Sequence, residues 1–330
     1  MNIGVYCPNW IGDAVMSLPF IQRIQDQYPD GKITIVCKDS VAPIFEYHIA
    51  DDRIIILPKS YTSGFLSVRS AGTSLRSLHL DVFYTLTDSF RSAAIMWWSG
   101  AKKRIGFDAQ MRSIFLTRAV KLPKGEMHRS LKYLALLKTG LEVDKIPRIQ
   151  LTNDEAAWAK KELIILGLKQ PIALFPFSMA SSRTIPNNRI KKWLHGSKED
   201  FILFGSKKEM DLAFDLINDC NEISIISVCG KYSLRESISI ISLCKYALAT
   251  DSGLGHISAA LDIPTISFFG SGFSRMTKPL GEKTTIVNNN VYCSPCRKNI
   301  CYNKKEHLVC LQEISRLDVE NAVRNLLMNP

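Results

Sequence analysis

Apolar residues in the first half of the chain fall in short bursts that alternate with stretches of helical spacing. Residues 2–7 are an apolar run of strand length. Residues 14–28 then place apolar side chains three and four apart until Pro29-Asp30-Gly31 ends the pattern. Residues 32–37, 53–57, 81–86 and 104–107 read as further strands, and 41–48, 89–98 and 128–139 as helices. Such alternation predicts a parallel sheet covered on both faces. The pattern breaks over residues 141–152, which read as a linker, and resumes with Asn153 capping a helix to about residue 166. Strands follow at 172–177, 201–204, 224–228, 246–250 and 265–269, with helices at 207–218, 234–244, 255–261 and 315–328. The expectation is two α/β domains, residues 1–150 and 151–330, with a ligand cleft between them.

The ends of the strands carry the chemistry. The run at 246–250 stops at Asp251-Ser252-Gly253-Leu254-Gly255-His256, ahead of an apolar helical stretch. In open α/β sheets ligands bind beyond the carboxyl ends of the strands. Glycines there admit a close approach of ligand to backbone, and the first N–H groups of the helix hold an anion. A phosphorylated ligand is therefore expected. After the first strand of the second half, Ser178, Ser181, Ser182 and Arg183 make a cradle without an acid, suited to a diphosphate. Gly205 and Ser206 end another strand of that half. In the first half, Pro8-Asn9-Trp10-Ile11-Gly12-Asp13 links strand to helix, but G-x-G-x-x-G is absent, so this is not a dinucleotide fingerprint. By spacing alone Asp13 reads as a helix N-cap. A general-base role would require a site that raises its pKa toward working pH.

Composition narrows the class. The chain is 46% hydrophobic and 22% charged, which describes a folded protein. No apolar run approaches the ~20 residues of a membrane span. The first residues lack a basic head and apolar core, so no secretory leader is expected and the cytoplasm is the expected compartment. The net charge of +11 favours anionic partners. Its clusters, such as Lys102-Lys103-Arg104 and Lys191-Lys192, are dispersed rather than interleaved with aromatics, so nucleic acid is not an expected partner. Of nine cysteines, Cys7, Cys37, Cys220, Cys229 and Cys244 lie in or beside apolar segments and read as buried hydrophobes. Cys293, Cys296, Cys301 and Cys310 fall as C-x2-C-x4-C-x8-C with His307 in the last interval. That spacing suits a structural zinc or iron knuckle, with unmetallated thiols as the alternative.

Several motifs, taken together, resemble one family along nearly the whole chain. They are Trp10-Ile-Gly12-Asp13, Ser89-Phe-Arg91-Ser92, Arg104-Ile-Gly106-Phe107, Phe204-Gly-Ser206, Cys229-Gly-Lys231, Thr250-Asp-Ser-Gly253 with His256, and Phe269-Gly270. The family is glycosyltransferase family 9, the ADP-heptose:lipopolysaccharide heptosyltransferases, with the type II enzymes the most similar branch. The resemblance implies a GT-B fold of two Rossmann-like domains, acceptor in residues 1–150 and nucleotide-sugar in 151–330. It implies inverting transfer of heptose from ADP-heptose to the inner core of lipopolysaccharide without a catalytic metal. Asp13 becomes the base. Ser178, Ser181, Ser182, Arg183, Gly205, Ser206, Asp251, Ser252, Gly253 and His256 become the donor site. Arg91, Lys102, Lys103, Arg104 and Arg112 become candidates for the acceptor, a Kdo-lipid A or heptosylated core at the cytoplasmic face of the inner membrane, with the protein peripheral to that surface. Two stretches depart from the family pattern: Pro176-Phe177 stands for Pro-Gly, and Arg183-Thr-Ile-Pro186 for Lys-Arg-Trp-Pro. Both adjoin the donor site, which leaves another sugar nucleotide or acceptor, or a non-catalytic anion-binding module, as alternatives.

Overall fold

Short β-rich runs such as Lys-Ile-Thr-Ile-Val-Cys cannot pair with themselves. Each is followed by a crossover segment, an α-helix in most cases, so the strands meet side by side and parallel. The computed structural model describes residues 1–58, 60, 64–122, 125–137 and 144–328. It divides the chain into two units, Met1–Gln150 and Leu151–Pro330.

In the first unit the elements run β1 (Asn2–Tyr6), α1 (Ile11–Gln27), β2 (Lys32–Cys37), β3 (Ile54–Ile56), α2 (Phe65–Ser74), β4 (Val82–Thr85) and α3 (Phe90–Trp98). β5 (Lys103–Phe107), β6 (Arg118–Val120) and α4 (Arg129–Leu134) complete it. The sheet order is β3-β2-β1-β4-β5-β6, every pair parallel. Order reverses between β1 and β4, which makes the space beyond their carboxyl ends the switch point where ligands bind. Ile3, Val5, Ile35 and Phe83 lie wholly buried in the sheet.

The second unit repeats the plan. It runs α5 (Asn153–Ile165), β7 (Ile172–Phe175), α6 (Asn187–Leu194), β8 (Phe201–Leu203), α7 (Met210–Asp219), β9 (Ile225–Ser227) and α8 (Leu234–Ile241). Then come β10 (Ala247–Thr250), α9 (Gly253–Ala260), β11 (Thr265–Phe269), α10 (Ser274–Thr277), β12 (Thr284–Asn288), α11 (Val309–Gln312) and α12 (Arg316–Met328). Its order, β12-β11-β10-β7-β8-β9, puts the switch point between β7 and β10. Trp193 stacks on Phe268 with centroids 4.6 Å apart, and its indole N–H donates to the Ile314 carbonyl at 3.0 Å, tying the C-terminal segment to this core.

Several local expectations are corrected. The helix expected at 41–48 is a 3-10 turn, Asp39–Ile44, because Pro43 has no N–H to continue a helix. α4 gives way to a 3-10 turn at Ala135–Leu137, and residues 138 and 139 of the expected helix lie outside the described residues. The cap of α5 is Thr152 rather than Asn153. Its hydroxyl accepts from the Glu155 N–H, and the Glu155 carboxylate accepts from the Thr152 N–H, a reciprocal capping box. α2, α6, β6 and β12 have no counterpart in the sequence reading. β6 and β12 are edge strands, as are β3 and β9, but they lack the consecutive isoleucines of those two.

Thr152→Ala removes one half of the capping box. The expected cost is about 1 kcal/mol of unfolding free energy, read as a lower urea midpoint at unchanged slope.

Candidate functional site

At the first switch point the chain leaves β1 and enters α1 with Trp10 as N-cap, and no side chain caps the helix there. Asp13 lies inside the first turn of α1, so its expected capping role is corrected. The carboxylate, 20% exposed, instead faces the Arg129 guanidinium at 3.7 Å. The positive end of α1 adds a favourable field for a carboxylate in this turn. Arg129 opens α4, whose N-cap His128 accepts the Ser130 N–H on Nδ1 at 3.2 Å. Burial pulls the Arg129 guanidinium down, but the charges of Asp13, Tyr133 and Asp88 outweigh it and hold the group above its ordinary value. Burial, reinforced by Asp13, pushes the neighbouring Tyr133 hydroxyl well above its own. Asp88, after β4, completes the array against Lys132 at 2.5 Å and Arg112 at 3.7 Å. Carboxylates and cations alternate along the carboxyl edge.

The expected acceptor cations separate into three groups. Arg91, exposed in the first turn of α3, lies on this edge: burial pushes the Tyr6 hydroxyl up to about 12 and the Arg91 charge opposes that rise. Arg112 is wholly buried and corrected to a structural role. Its Nε donates to the Phe107 carbonyl at 2.8 Å, and another guanidinium nitrogen reaches the Thr87 and Ser89 carbonyls, so it holds the turn after β4. Lys102, Lys103 and Arg104 sit at the amino end of β5. Lys102 pairs with Asp81 at 2.8 Å, Lys103 lies beside Val82 at the start of β4, and Arg104 donates to the Phe115 and Ala101 carbonyls at 2.7 and 2.6 Å. In a parallel sheet that end is opposite the Asp13 turn, so the structure does not bring these three to it.

At the second switch point, Arg183 follows β7 and Asp251 follows β10, and their side chains pair at 3.2 Å with the Asp251 side chain 5% exposed. The Thr250 hydroxyl donates to the Arg183 carbonyl and binds the two loops together. A Cβ on Gly272 would lie 1.9 Å from the Asp251 carboxylate, so no other residue fits there without moving the acid. Ser252 precedes α9 without capping it, and its buried hydroxyl has no hydrogen-bond partner among the described residues. Gly253 opens α9 and His256, buried, lies within its first turn. The remaining expected donor residues are largely committed elsewhere. The Ser182 hydroxyl is buried between Ser271 at 2.9 Å and the Lys298 carbonyl at 2.6 Å. Ser181 donates to the Asn299 carbonyl at 3.4 Å, and the Ser178 hydroxyl accepts the Ala180 N–H at 3.4 Å. Ser206 caps the turn Lys207–Glu209, and a Cβ on Gly205 would meet Cys229 Sγ at 2.8 Å.

The cysteine-bearing loop braces this site through hydrogen bonds. Ser294 donates to the Gly270 carbonyl at 2.6 Å, the Arg297 N–H to the Ser271 carbonyl at 2.8 Å, and the Ser182 N–H to the Asn299 carbonyl at 3.1 Å. Among the described residues no group of three or more His, Cys, Asp or Glu is placed to hold a metal ion, so the metal expected at Cys293, Cys296, Cys301 and Cys310 gains no support from the structure. The Cys310 thiol packs in the apolar core beside Leu311. Burial, then the neighbouring Cys293, Cys296 and Cys301, push that thiol up to about 11.

Two acid–arginine pairs at two switch points are the geometry to compare with known proteins. The description "Glycosyltransferase family 9 (heptosyltransferase)" matches residues 68–307, well over half of the chain. The chain belongs to glycosyltransferase family 9. Lipooligosaccharide heptosyltransferase 2 of Campylobacter jejuni is 25% identical over 345 aligned positions, spanning 100% of this chain and 99% of its own. Lipopolysaccharide heptosyltransferase 2 of Escherichia coli is 24% identical over 307 positions, 87% of this chain and 88% of its own. The solved structure of E. coli ADP-heptose lps heptosyltransferase II shares the fold with a TM-score of 0.81, at 22% identity and covering 99% of both chains. The protein is thus a glycosyltransferase with the GT-B fold. Within the family match lie Arg183, Asp251 and His256, while Asp13 lies before it.

Sequence spacing does not flag Arg129, Lys132, Asp88 or Gly272, which complete the two sites. A basic pair around a helix start after His128, and glycines flanking Ser271 at a strand end, are the only local signals. Arg183→Ala leaves the Asp251 carboxylate buried without its arginine and is expected to cost about 2 kcal/mol in urea denaturation. Arg183→Ala combined with Asp251→Asn should recover most of that loss, because the stranded charge is gone.

Proposed function

We propose that this glycosyltransferase moves a heptose from ADP-heptose to the inner core of lipopolysaccharide, with inversion at the anomeric carbon. Family membership and near full-length similarity to heptosyltransferases support the reaction class. The observation that carries the mechanism is Asp13 in the first turn of α1, not spent as a cap and faced by Arg129.

In the single displacement, the Asp13 carboxylate takes the proton of the acceptor hydroxyl as that oxygen bonds to the anomeric carbon. The bond from that carbon to the β-phosphate oxygen breaks, and its electron pair leaves on ADP. Charge developing on the diphosphate falls to Arg183 and to the first N–H groups of α9, fixed in place before the reaction. Asp251 holds Arg183 in the resting site, and with Ser252, Gly253 and His256 it contacts the donor. Arg91 is the acceptor-side cation on the Asp13 edge, suited to a Kdo carboxylate or core phosphate. Each of these steps uses only side chains and backbone of this chain. The acceptor is a Kdo-lipid A or a heptosylated core, anchored by its lipid, so the enzyme works peripherally at the cytoplasmic face of the inner membrane.

The test is ADP release from ADP-heptose with and without such an acceptor. Release should require the acceptor. Asp13→Asn should lower kcat at least ~100-fold while calorimetry shows donor binding nearly intact. Arg129→Met should lower kcat about tenfold by loosening Asp13. Wild-type turnover in the Asp13 variant would overturn the base, and ADP binding without transfer across an acceptor panel would favour a binding module.

A further inference from the structure

Helix α3 is apolar on two sides. Ala93, Ala94, Ile95 and Met96 are buried, the last three in a core cluster with Phe83 of the first sheet and Val68 and Ala71 of α2. A surface helix with its core face satisfied normally turns polar residues outward. Here the outer side carries aromatic rings. Phe65, Trp98, Trp97, Phe115 and Phe90 form an unbroken chain of ring contacts, with successive centroids 6.4, 4.6, 5.8 and 5.1 Å apart. α2 and the 3-10 turn Arg112–Phe115 both pack on α3 to build it. α2 reaches α3 at Gly72, where a Cβ would lie 2.4 Å from Trp98 Cβ, and this close approach brings Phe65 against Trp98.

The ridge is open to solvent except at Trp98 and Phe115, which are half-buried. Phe65, Leu66 and Ile114 are 70%, 75% and 76% exposed, and Phe90 and Trp97 are 45% and 43% exposed. So contiguous an apolar patch marks an interaction site. Its surroundings identify the partner. Of the basic residues between Gly64 and Arg118, Arg112 is buried and Lys102 is paired with Asp81, so the border rests on the exposed arginines of α2 and of the turn after it. Arg69 lies over the Trp98 ring at 4.9 Å and Arg76 donates to the Trp98 carbonyl at 3.0 Å, both cations exposed beside the rings. One end of the ridge, Phe90, adjoins Arg91, whose charge reaches Tyr6 on the edge that holds Asp13.

We infer that this aromatic ridge, with its arginine border, docks the enzyme on an anionic lipid surface. Trp and Phe insert at the headgroup boundary while Arg meets the phosphates, an arrangement suited to a lipid interface. Docking there would bring the Arg91–Asp13 edge near the headgroups, where a lipid-anchored acceptor displays its sugars. That last point rests on the acceptor proposed above, but the docking itself does not.

The experiment is co-sedimentation of the full chain with phosphatidylcholine vesicles, with and without about 30% phosphatidylglycerol, and without donor or acceptor. Its outcome is therefore independent of the transfer assay. Binding is expected only to the anionic vesicles and should weaken with added salt. Phe65→Ser combined with Leu66→Ser and Ile114→Ser should weaken it at least about tenfold. If that variant fails to fold, Arg69→Glu serves as the second arm and should weaken binding to the anionic vesicles several-fold. Equal binding by parent and folded variants, or no binding by the parent, would overturn the inference. So would a parent that is dimeric in sedimentation while the triple variant is monomeric, which would make the ridge a contact between copies.

Discussion

Parallel strand pairing is the constraint on which both units depend. A parallel strand cannot return by a tight turn, so each is followed by a crossover that delivers its loop to one carboxyl edge. Every strand pair in the two sheets obeys this, and each sheet reverses its order once, between β1 and β4 and between β7 and β10. The loops at those reversals diverge and leave room for a ligand. Asp13 and Asp88 stand at the first, Arg183 and Asp251 at the second. The same constraint removes Lys102, Lys103 and Arg104 from the site, because the amino end of β5 lies on the other edge.

Each switch point is organised by a carboxylate met by a guanidinium, and the two pairs differ in what surrounds them. Around Asp13 the charges form an extended array through Arg129, Asp88, Lys132 and Arg112, so several residues share the electrostatic load. Around Asp251 the pair is more enclosed, with Gly272 giving the carboxylate its space and the 294–299 loop bonded over its neighbours. The first arrangement keeps the Asp13 carboxylate ionised, the form that can take a proton from an incoming hydroxyl. The second suits a cation held ready for an anion that replaces its resting partner. Arg112 shows the limit of reading function from charge: a fully buried guanidinium bonded to backbone carbonyls builds the turn and has no donor on the surface to offer a substrate.

Much of the fold was readable from local pattern. Strand β11 has the bounds expected, and β1, β2, α1 and α12 fall within a few residues of theirs, because a buried strand or an amphipathic helix writes its period into its own sequence. Edge strands β6 and β12 did not announce themselves, since they lack the consecutive isoleucines that mark the other two edges, β3 and β9. Of the site, the loops were readable and the partners were not. Asp251, Gly253 and His256 stand out as strand-end chemistry, yet nothing near Asp13 in the chain points to Arg129. The four late cysteines illustrate the converse: their spacing suits a chelate, but among the described residues they do not form a group placed to hold a metal.

By itself the sequence determined two parallel α/β units, the strand-end turns that bear Asp13, Arg183 and Asp251, and the family to which those turns belong. These are properties of a residue and its near neighbours, set by side-chain period, turn chemistry and backbone freedom. Only the tertiary structure decided that Asp13 is paired rather than capping, that Arg112 is buried, that Ser182 is committed to Lys298 and Ser271, and that five rings, three of them exposed, join into one ridge. Those outcomes depend on strand order and on which helices pack together, contacts between segments far apart in the chain that no local pattern encodes.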